Sequence, residues 1–175
     1  MTNSASSVSR TELSVYNNDD RQLQVAVPRK STLHQGWPSA SSPAVRLRMI
    51  ATGQRDTPIE RQIRSLLHRM GLRFRVDVSP FAEFRSRADI LFPRSRVAVY
   101  VDGCFWHGCP THGTWPKANA AWWRTKIEAN RRRDVAVTAE LISLGWAVVR
   151  VWEHEDPNTA VRAIVSELAV KPVDV

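Results

Sequence analysis

The apolar run Val97-Ala98-Val99-Tyr100-Val101 ends on Asp102-Gly103 and passes directly into Cys104-Phe-Trp-His107-Gly-Cys109-Pro-Thr-His112-Gly. No other stretch limits the possible folds as strongly. Five consecutive apolar residues have the length of a buried strand. The loop that follows is too rich in Gly, Pro and polar groups to bury a core of its own. Residues 104–112 hold both cysteines and two of the five histidines of the chain. A further histidine, His154, follows the apolar segment Ala147–Trp152, a strand that can return beside the loop. Cys104, Cys109, His112 and His154 therefore supply the four S and N ligands of a closed tetrahedral Zn2+ site, structural because no position is left for water. The plainer alternative is two buried thiols among loop histidines. His107 is then spare and suited to general acid–base chemistry near neutral pH. Spacing alone leaves the roles of His107 and His112 interchangeable.

Two cysteines so close together cannot form a disulfide framework, and the N-terminal residues carry no hydrophobic core segment of a secretory signal. A reducing cytoplasm, in association with the nucleoid, is the expected location. No run of eighteen apolar residues exists to form a membrane-spanning helix. The chain of 175 residues carries 25 Lys+Arg against 17 Asp+Glu, a formal charge of +8, and 21 of those cations are Arg. Arg recognises phosphates and base edges bidentately, which favours a nucleic-acid partner. A G- and C-rich genome also favours Arg.

Residues 1–44 lack sustained periodicity and read as a disordered leader, or as sequence ahead of the true start; an ordered domain is expected over 45–175. Thr57-Pro58-Ile59-Glu60 is a capping box with Pro at the first helical position, and Ile59, Ile63, Leu66, Leu67 and Met70 follow at helical spacing up to Gly71. Strands are expected at 74–78, 89–92 and 97–101, the last two as a hairpin across Pro93–Arg96. A long helix capped by Asn119 runs to Leu144, with Trp123, Ile127, Val135, Val137, Leu141 and Leu144 towards its apolar side. A strand at 147–152 and a helix from Asp156-Pro157, carrying Val161, Ile164, Val165 and Leu168, complete the order αβββαβα. This is an α/β (α+β) domain, a mixed sheet with flanking helices.

In such a hairpin Asp89 opens one strand where Asp102 closes the other, so the two carboxylates are expected to converge. Carboxylates at a strand end can hold Mg2+ against a substrate phosphate, but salt bridges to Arg would draw acids together equally well. Glu60 is a third candidate from the first helix, although the capping box already accounts for it.

From about Arg46 to Glu155 the chain resembles the very short patch repair (mismatch) endonucleases, a branch of the PD-(D/E)XK superfamily with a restriction-endonuclease-like core. The stretches that carry the resemblance are DTPIERQIRSLLHRMGLRFRV, ADILFPRSRVAVYVDGCFWHGC, WWRTKIEANRRRD and GWAVVRVWEHE. The resemblance implies a Mg2+-dependent enzyme that nicks one strand of duplex DNA beside a T:G mismatch. It implies Asp89 and the backbone carbonyl of Val101 as Mg2+ contacts, His107 as the general acid–base group, and Glu60 at the edge of the site. It places structural Zn2+ on Cys104, near Cys109 and His112, and on His154. Phe105, Trp106 and Trp123 correspond to aromatics that wedge beside the mismatch; Trp123 equally suits the core of its helix. Arg124, Lys126 and Arg131, with Arg132 and Arg133, give that helix a basic flank for phosphates.

Three features depart from the family pattern: Ala88 where Pro is expected, Asp102 where a second His is expected, and the leader. An acid at 102 offers a further Mg2+ ligand or a proton acceptor for the attacking water. Related expectations are a monomer and, from the resemblance alone, mismatch-repair proteins or a cytosine methyltransferase as partners. Competing expectations are a restriction- or defence-type endonuclease that cuts matched DNA, and a non-catalytic zinc-stapled DNA-binding module.

Overall fold

The computed structural model of the protein describes residues 55–170 together with Ser42, Pro43, Ala44 and Leu47. Apart from those four residues, the expected leader and the expected onset of order near Val45 lie outside the described residues. The elements are α1 (Pro58–Arg69), β1 (Arg75–Val78), β2 (Ala88–Phe92), β3 (Val97–Asp102), α2 (Ala120–Ser143), β4 (Ala147–Trp152) and α3 (Pro157–Val170). The order αβββαβα is the one expected from the sequence.

The strands form one mixed sheet in the order β1-β2-β3-β4. The first two pairings are antiparallel and β3 with β4 is parallel. Phe92 pairs with Val97 across the turn, and Arg96 takes φ 48° there. Because α2 carries the chain from β3 back to a parallel neighbour, the loop leaving β3 and the segment leaving β4 emerge at the same sheet end. That topology brings residues near 104 and near 154 together.

Successive strand residues face opposite sides, and β3 shows it directly. Val97 and Val99 join Ile63, Leu67 and Ile164 in a core beneath α1 and α3, whereas Ala98 and Tyr100 join Leu91, Val137 and Leu141 beneath α2. Burying each large aliphatic side chain stabilises the fold by about 1.5–3 kcal/mol. The start of α1 is as expected: Thr57 Oγ1 accepts the Glu60 N–H at 3.4 Å and Pro58 occupies the first turn. Gly71, at φ +78°, provides the left-handed stop. Met70, expected on the apolar stripe, caps the helix and is exposed.

The α2 helix departs from expectation in two places. Asn119 stands at the N-cap position but has left-handed backbone (φ 56°, ψ 35°), and its side chain makes no capping hydrogen bond. The buried stripe is Trp123, Ile127, Asn130, Val137 and Leu141, whereas Val135 and Leu144 are exposed. The physical reason is phase. Positions 123, 127, 130, 134, 137 and 141 advance by three and four and stay on one face, and 135 lies a full step off it. Two of the core-facing positions are polar, Asn130 and Asp134.

Candidate active site and sulfur–histidine cluster

The ladder between β2 and β3 runs from Phe92–Val97 to Ile90–Val99. Beyond it, the Asp89 carboxylate takes the Val101 N–H at 2.7 Å. A strand residue directs its N–H and C=O to the same edge, so the Val101 carbonyl faces the same gap as Asp89. The Asp89 carboxylate and the Val101 backbone therefore lie side by side at this strand end.

Asp102 is held by an arginine from the neighbouring strand. Arg150 Nε donates to Asp102 Oδ2 at 2.7 Å and Arg150 Nη2 to Asp102 Oδ1 at 2.5 Å. Of the two readings open from the sequence, the salt bridge to Arg is the contact that Asp102 makes. The reason lies in the neighbouring strand. Arg150 pairs with Tyr100 in the parallel ladder and faces the α2 side, two residues before the position opposite Asp102. Its guanidinium lies 5.1 Å from the Tyr100 ring centroid. Burial opposes the charge on Arg150, but the Asp102 hydrogen bond and the Asp102 and Asp134 charges outweigh it and raise its pKa. Removing Arg150 would leave the buried Asp102 carboxylate without its counter-charge, a destabilising change.

His107 lies in the same cluster. Its Nδ1 is 2.5 Å from Asp134 Oδ2 and 3.4 Å from Asp102 Oδ1. Asp134 Oδ1 is 3.3 Å from Arg150 Nη2 and 3.6 Å from Arg133 Nη2. Burial works against ionisation of Asp134, but the hydrogen bond and charge of His107, with Arg150 and Arg133, hold its carboxyl below the usual range. Asp134 carries the orientation of His107, and sequence reasoning passed over it. Its signal was present: an acid on a stripe otherwise apolar at helical spacing. Tyr100 completes this face. Its buried hydroxyl has no hydrogen-bond partner of ordinary geometry among the described residues. Burial, reinforced by Asp89 and Asp134, pushes its pKa up to about 12 against the opposing influence of Ser86 and Arg150.

Glu60 is buried at the head of α1, away from these groups in its bonding. Its Oε2 accepts the Asp56 N–H at 3.0 Å and its Oε1 accepts the Thr57 hydroxyl at 2.8 Å. Capping accounts for both oxygens.

The cysteines form a separate cluster. One ligand atom from each of Cys104, Cys109, His112 and His154 lies within 4.8 Å of the others. Cys104 Sγ is 3.0 Å and Cys109 Sγ 3.8 Å from His154 Nδ1. The edge of a tetrahedron of S and N ligands around Zn2+ is about 3.5–3.8 Å, so the set has nearly the spacing that such an ion requires. His112, not His107, joins the sulfurs. Burial, reinforced by Cys109 and Glu153, pushes the Cys104 thiol up to about 12. For Cys109, burial is outweighed by hydrogen bonds from Thr111 and His112, which bring the thiol down to about 6. Gly113 is required by packing, since a Cβ there would lie 2.4 Å from the Cys109 carbonyl oxygen.

The aromatics form a group of their own. Phe105 contacts Trp106 and Trp123 edge-on, both at 5.1 Å between centroids, and Trp106 lies 5.9 Å from Trp123. Trp123 is buried, whereas Phe105 and Trp106 are half-buried above it. Asn130 Nδ2 donates to the Trp106 carbonyl at 2.8 Å and pins the loop to α2. Arg124 and Arg131 are exposed on that helix and Lys126 is partly so. Arg124 also lies over the exposed Trp115 ring, 5.8 Å from its centroid. No helix among the described residues is long and apolar enough to cross a membrane.

Comparison with known proteins agrees with this architecture. A family model described as DNA mismatch endonuclease Vsr matches residues 42–112. The Type II nicking enzyme V.NaeI of Lentzea aerocolonigenes is 35% identical over 85% of this chain and 91% of its own length. V.XorIIP of Xanthomonas oryzae pv. oryzae, also a Type II nicking enzyme, is 42% identical over 58% of this chain and 73% of its own. The DNA mismatch endonuclease Vsr of Escherichia coli is 38% identical over 61% of this chain and 66% of its own. With that similarity over nearly the whole of V.NaeI, the chain belongs to the Vsr family of DNA endonucleases and is a hydrolase of phosphodiester bonds in DNA.

Proposed function

We propose that the protein nicks one strand of duplex DNA beside a T:G mismatch, with Mg2+ at Asp89 and structural Zn2+ at Cys104, Cys109, His112 and His154. The observation that carries this reading is that His107, held by Asp134, shares one short loop with the half-buried Phe105–Trp106 pair. The loop thus presents an acid–base group and a ring wedge together. Inserting rings between base pairs costs a few kcal/mol of unstacking, least where a mismatch has already weakened the stack. That difference favours a mismatched substrate.

The donor sets fit the ions. Asp89 and the Val101 carbonyl are hard oxygen ligands, as Mg2+ prefers, leaving further positions for water and phosphate. The thiol and imidazole set suits Zn2+. When bound, Mg2+ neutralises charge on the scissile phosphate and activates a water. His107 has Nδ1 committed to Asp134, so Nε2 is the nitrogen that exchanges a proton with the reacting groups. Asp134 fixes the imidazole plane. Asn130 holds the Trp106 backbone, so the wedge and the histidine keep a constant separation. Arg124, Lys126 and Arg131 bind flanking phosphates.

A second reading is nicking of matched DNA, raised because V.NaeI and V.XorIIP are described as Type II nicking enzymes, words that name no mismatch. A cleavage panel of T:G, other mismatched and fully paired duplexes with varied flanks separates the two. Cutting of T:G duplexes at least tenfold faster than their paired counterparts is expected. Equal rates on paired DNA decide for the second reading. If no duplex is cut in Mg2+, the nicking proposal fails.

A further inference from the structure

Asp102, His107 and Asp134 place one ligand atom each within 4.8 Å of one another. One imidazole and two carboxylates are donors that suit a divalent transition ion. A cation already occupies this group, however, and the chain itself supplies it. Arg150 Nη2 stands 2.5 Å from Asp102 Oδ1 and 3.3 Å from Asp134 Oδ1, and its Nε holds the second oxygen of Asp102 at 2.7 Å.

We infer that Arg150 is a built-in cation that keeps divalent metal out of this group and fixes Asp134 against His107. The role of Arg150 in cleavage rests on the reading of His107 as the proton-transfer group. Two carboxylates facing one imidazole repel each other and attract any available cation. A metal ion entering there would take an imidazole nitrogen and disrupt the contact of His107 with Asp134. Arg150 balances the same charge through N–H donors alone, which leaves the imidazole lone pair uncoordinated. Only a planar fork meets Asp102 through two nitrogens while one of them also reaches Asp134; the single ammonium of Lys matches the charge but not that geometry. Arg150 is a positioning residue. It leaves Asp89 and the Val101 carbonyl as the site open to Mg2+.

The test counts metal as well as activity. Mn2+ bound per chain is measured by equilibrium dialysis, without DNA, for wild type, Arg150→Ala, Arg150→Gln and Arg150→Lys, with folding followed by circular dichroism. Single-turnover nicking in Mg2+ and DNA affinity are measured alongside. Arg150→Ala or Arg150→Gln is expected to bind one more Mn2+ than wild type and to nick at least tenfold more slowly, with DNA affinity within threefold. Adding Asp102→Asn should abolish the extra ion. Arg150→Lys should bind no extra ion and recover part of the rate. A folded Ala or Gln variant with no additional Mn2+ overturns the proposal. So does a Lys variant that folds where neither Ala nor Gln does, because the pair is then structural only. Wild-type protein that cuts no duplex defeats the functional reading, while the metal count still decides for or against exclusion by Arg150.

Discussion

Two polar clusters interleave along one loop yet separate in space. Positions 104, 109 and 112 go to the sulfur–histidine cluster, and 102 and 107 go to the carboxylate–histidine cluster. Each is completed by a residue from elsewhere: His154 beyond β4 for the first, and Asp134 on α2 with Arg150 on β4 for the second. The first is built of thiol and imidazole donors, whereas the second gathers two carboxylates and an imidazole around a guanidinium. The difference teaches that ligand-type residues do not by themselves make a metal site. On the proposed reading, the guanidinium that the rest of the fold supplies to the second cluster leaves the first as the one that takes an ion.

The largest effect is expected in the sulfur cluster. On the proposed reading Zn2+ binding is folding free energy, so Cys104→Ser should reduce zinc below half an equivalent per chain and lower Tm by more than about 10 °C. Elemental analysis with a thermal melt checks this, and a fully folded, zinc-free wild type would break the contrast between the clusters. In the other cluster, His107→Ala should slow single-turnover nicking by about 10²–10⁴-fold, with zinc content unchanged and a far smaller fall in Tm than Cys104→Ser. A matching collapse of stability would show that the two clusters are one structural unit.

The Asn130 bridge ranks next. Asn130→Ala leaves the Trp106 carbonyl without its partner, at a cost of about 1–3 kcal/mol, and should weaken discrimination for mismatched DNA more than binding. Denaturant unfolding and the duplex panel measure the two parts. The native carboxyl of Asp134 lies below its ordinary value. Its contribution to stability is therefore complete above about pH 4–5, the unfolded range, and is lost as pH falls through the lower native value. Asp134→Asn should flatten the acid limb of Tm against pH. An unchanged limb would exclude Asp134 as a linked group. Smallest of all, Tyr100→Phe removes a hydroxyl without a partner among the described residues and should shift stability by less than about 1 kcal/mol.

Much of the scaffold was legible in the sequence because its signals are local. Thr57-Pro58 with Glu60 specifies a helix start wherever the helix later packs, and Gly71 specifies its stop. The family resemblance likewise named Asp89 and Val101, which the splayed end of the hairpin brings together. The α2 stripe was misphased because Val135 is apolar and Asp134 is not, and the polar member of that pair is the one that faces inward. The arginine that holds Asp102 was not legible in the sequence, because Arg150 lies 48 residues away and no local spacing links them.

By itself, the sequence determined the element order, the capping and turn positions, and a loop whose composition demands an outside anchor. These follow from local sterics, periodicity and the inability of a Gly- and Pro-rich segment to bury a core. Tertiary structure alone decided which loop residue goes to which cluster, that Arg150 faces Asp102, and that Asp134 holds His107. Those outcomes depend on the register of β3 with β4 and the rotation of α2 about its axis, both set by packing between segments distant in the chain.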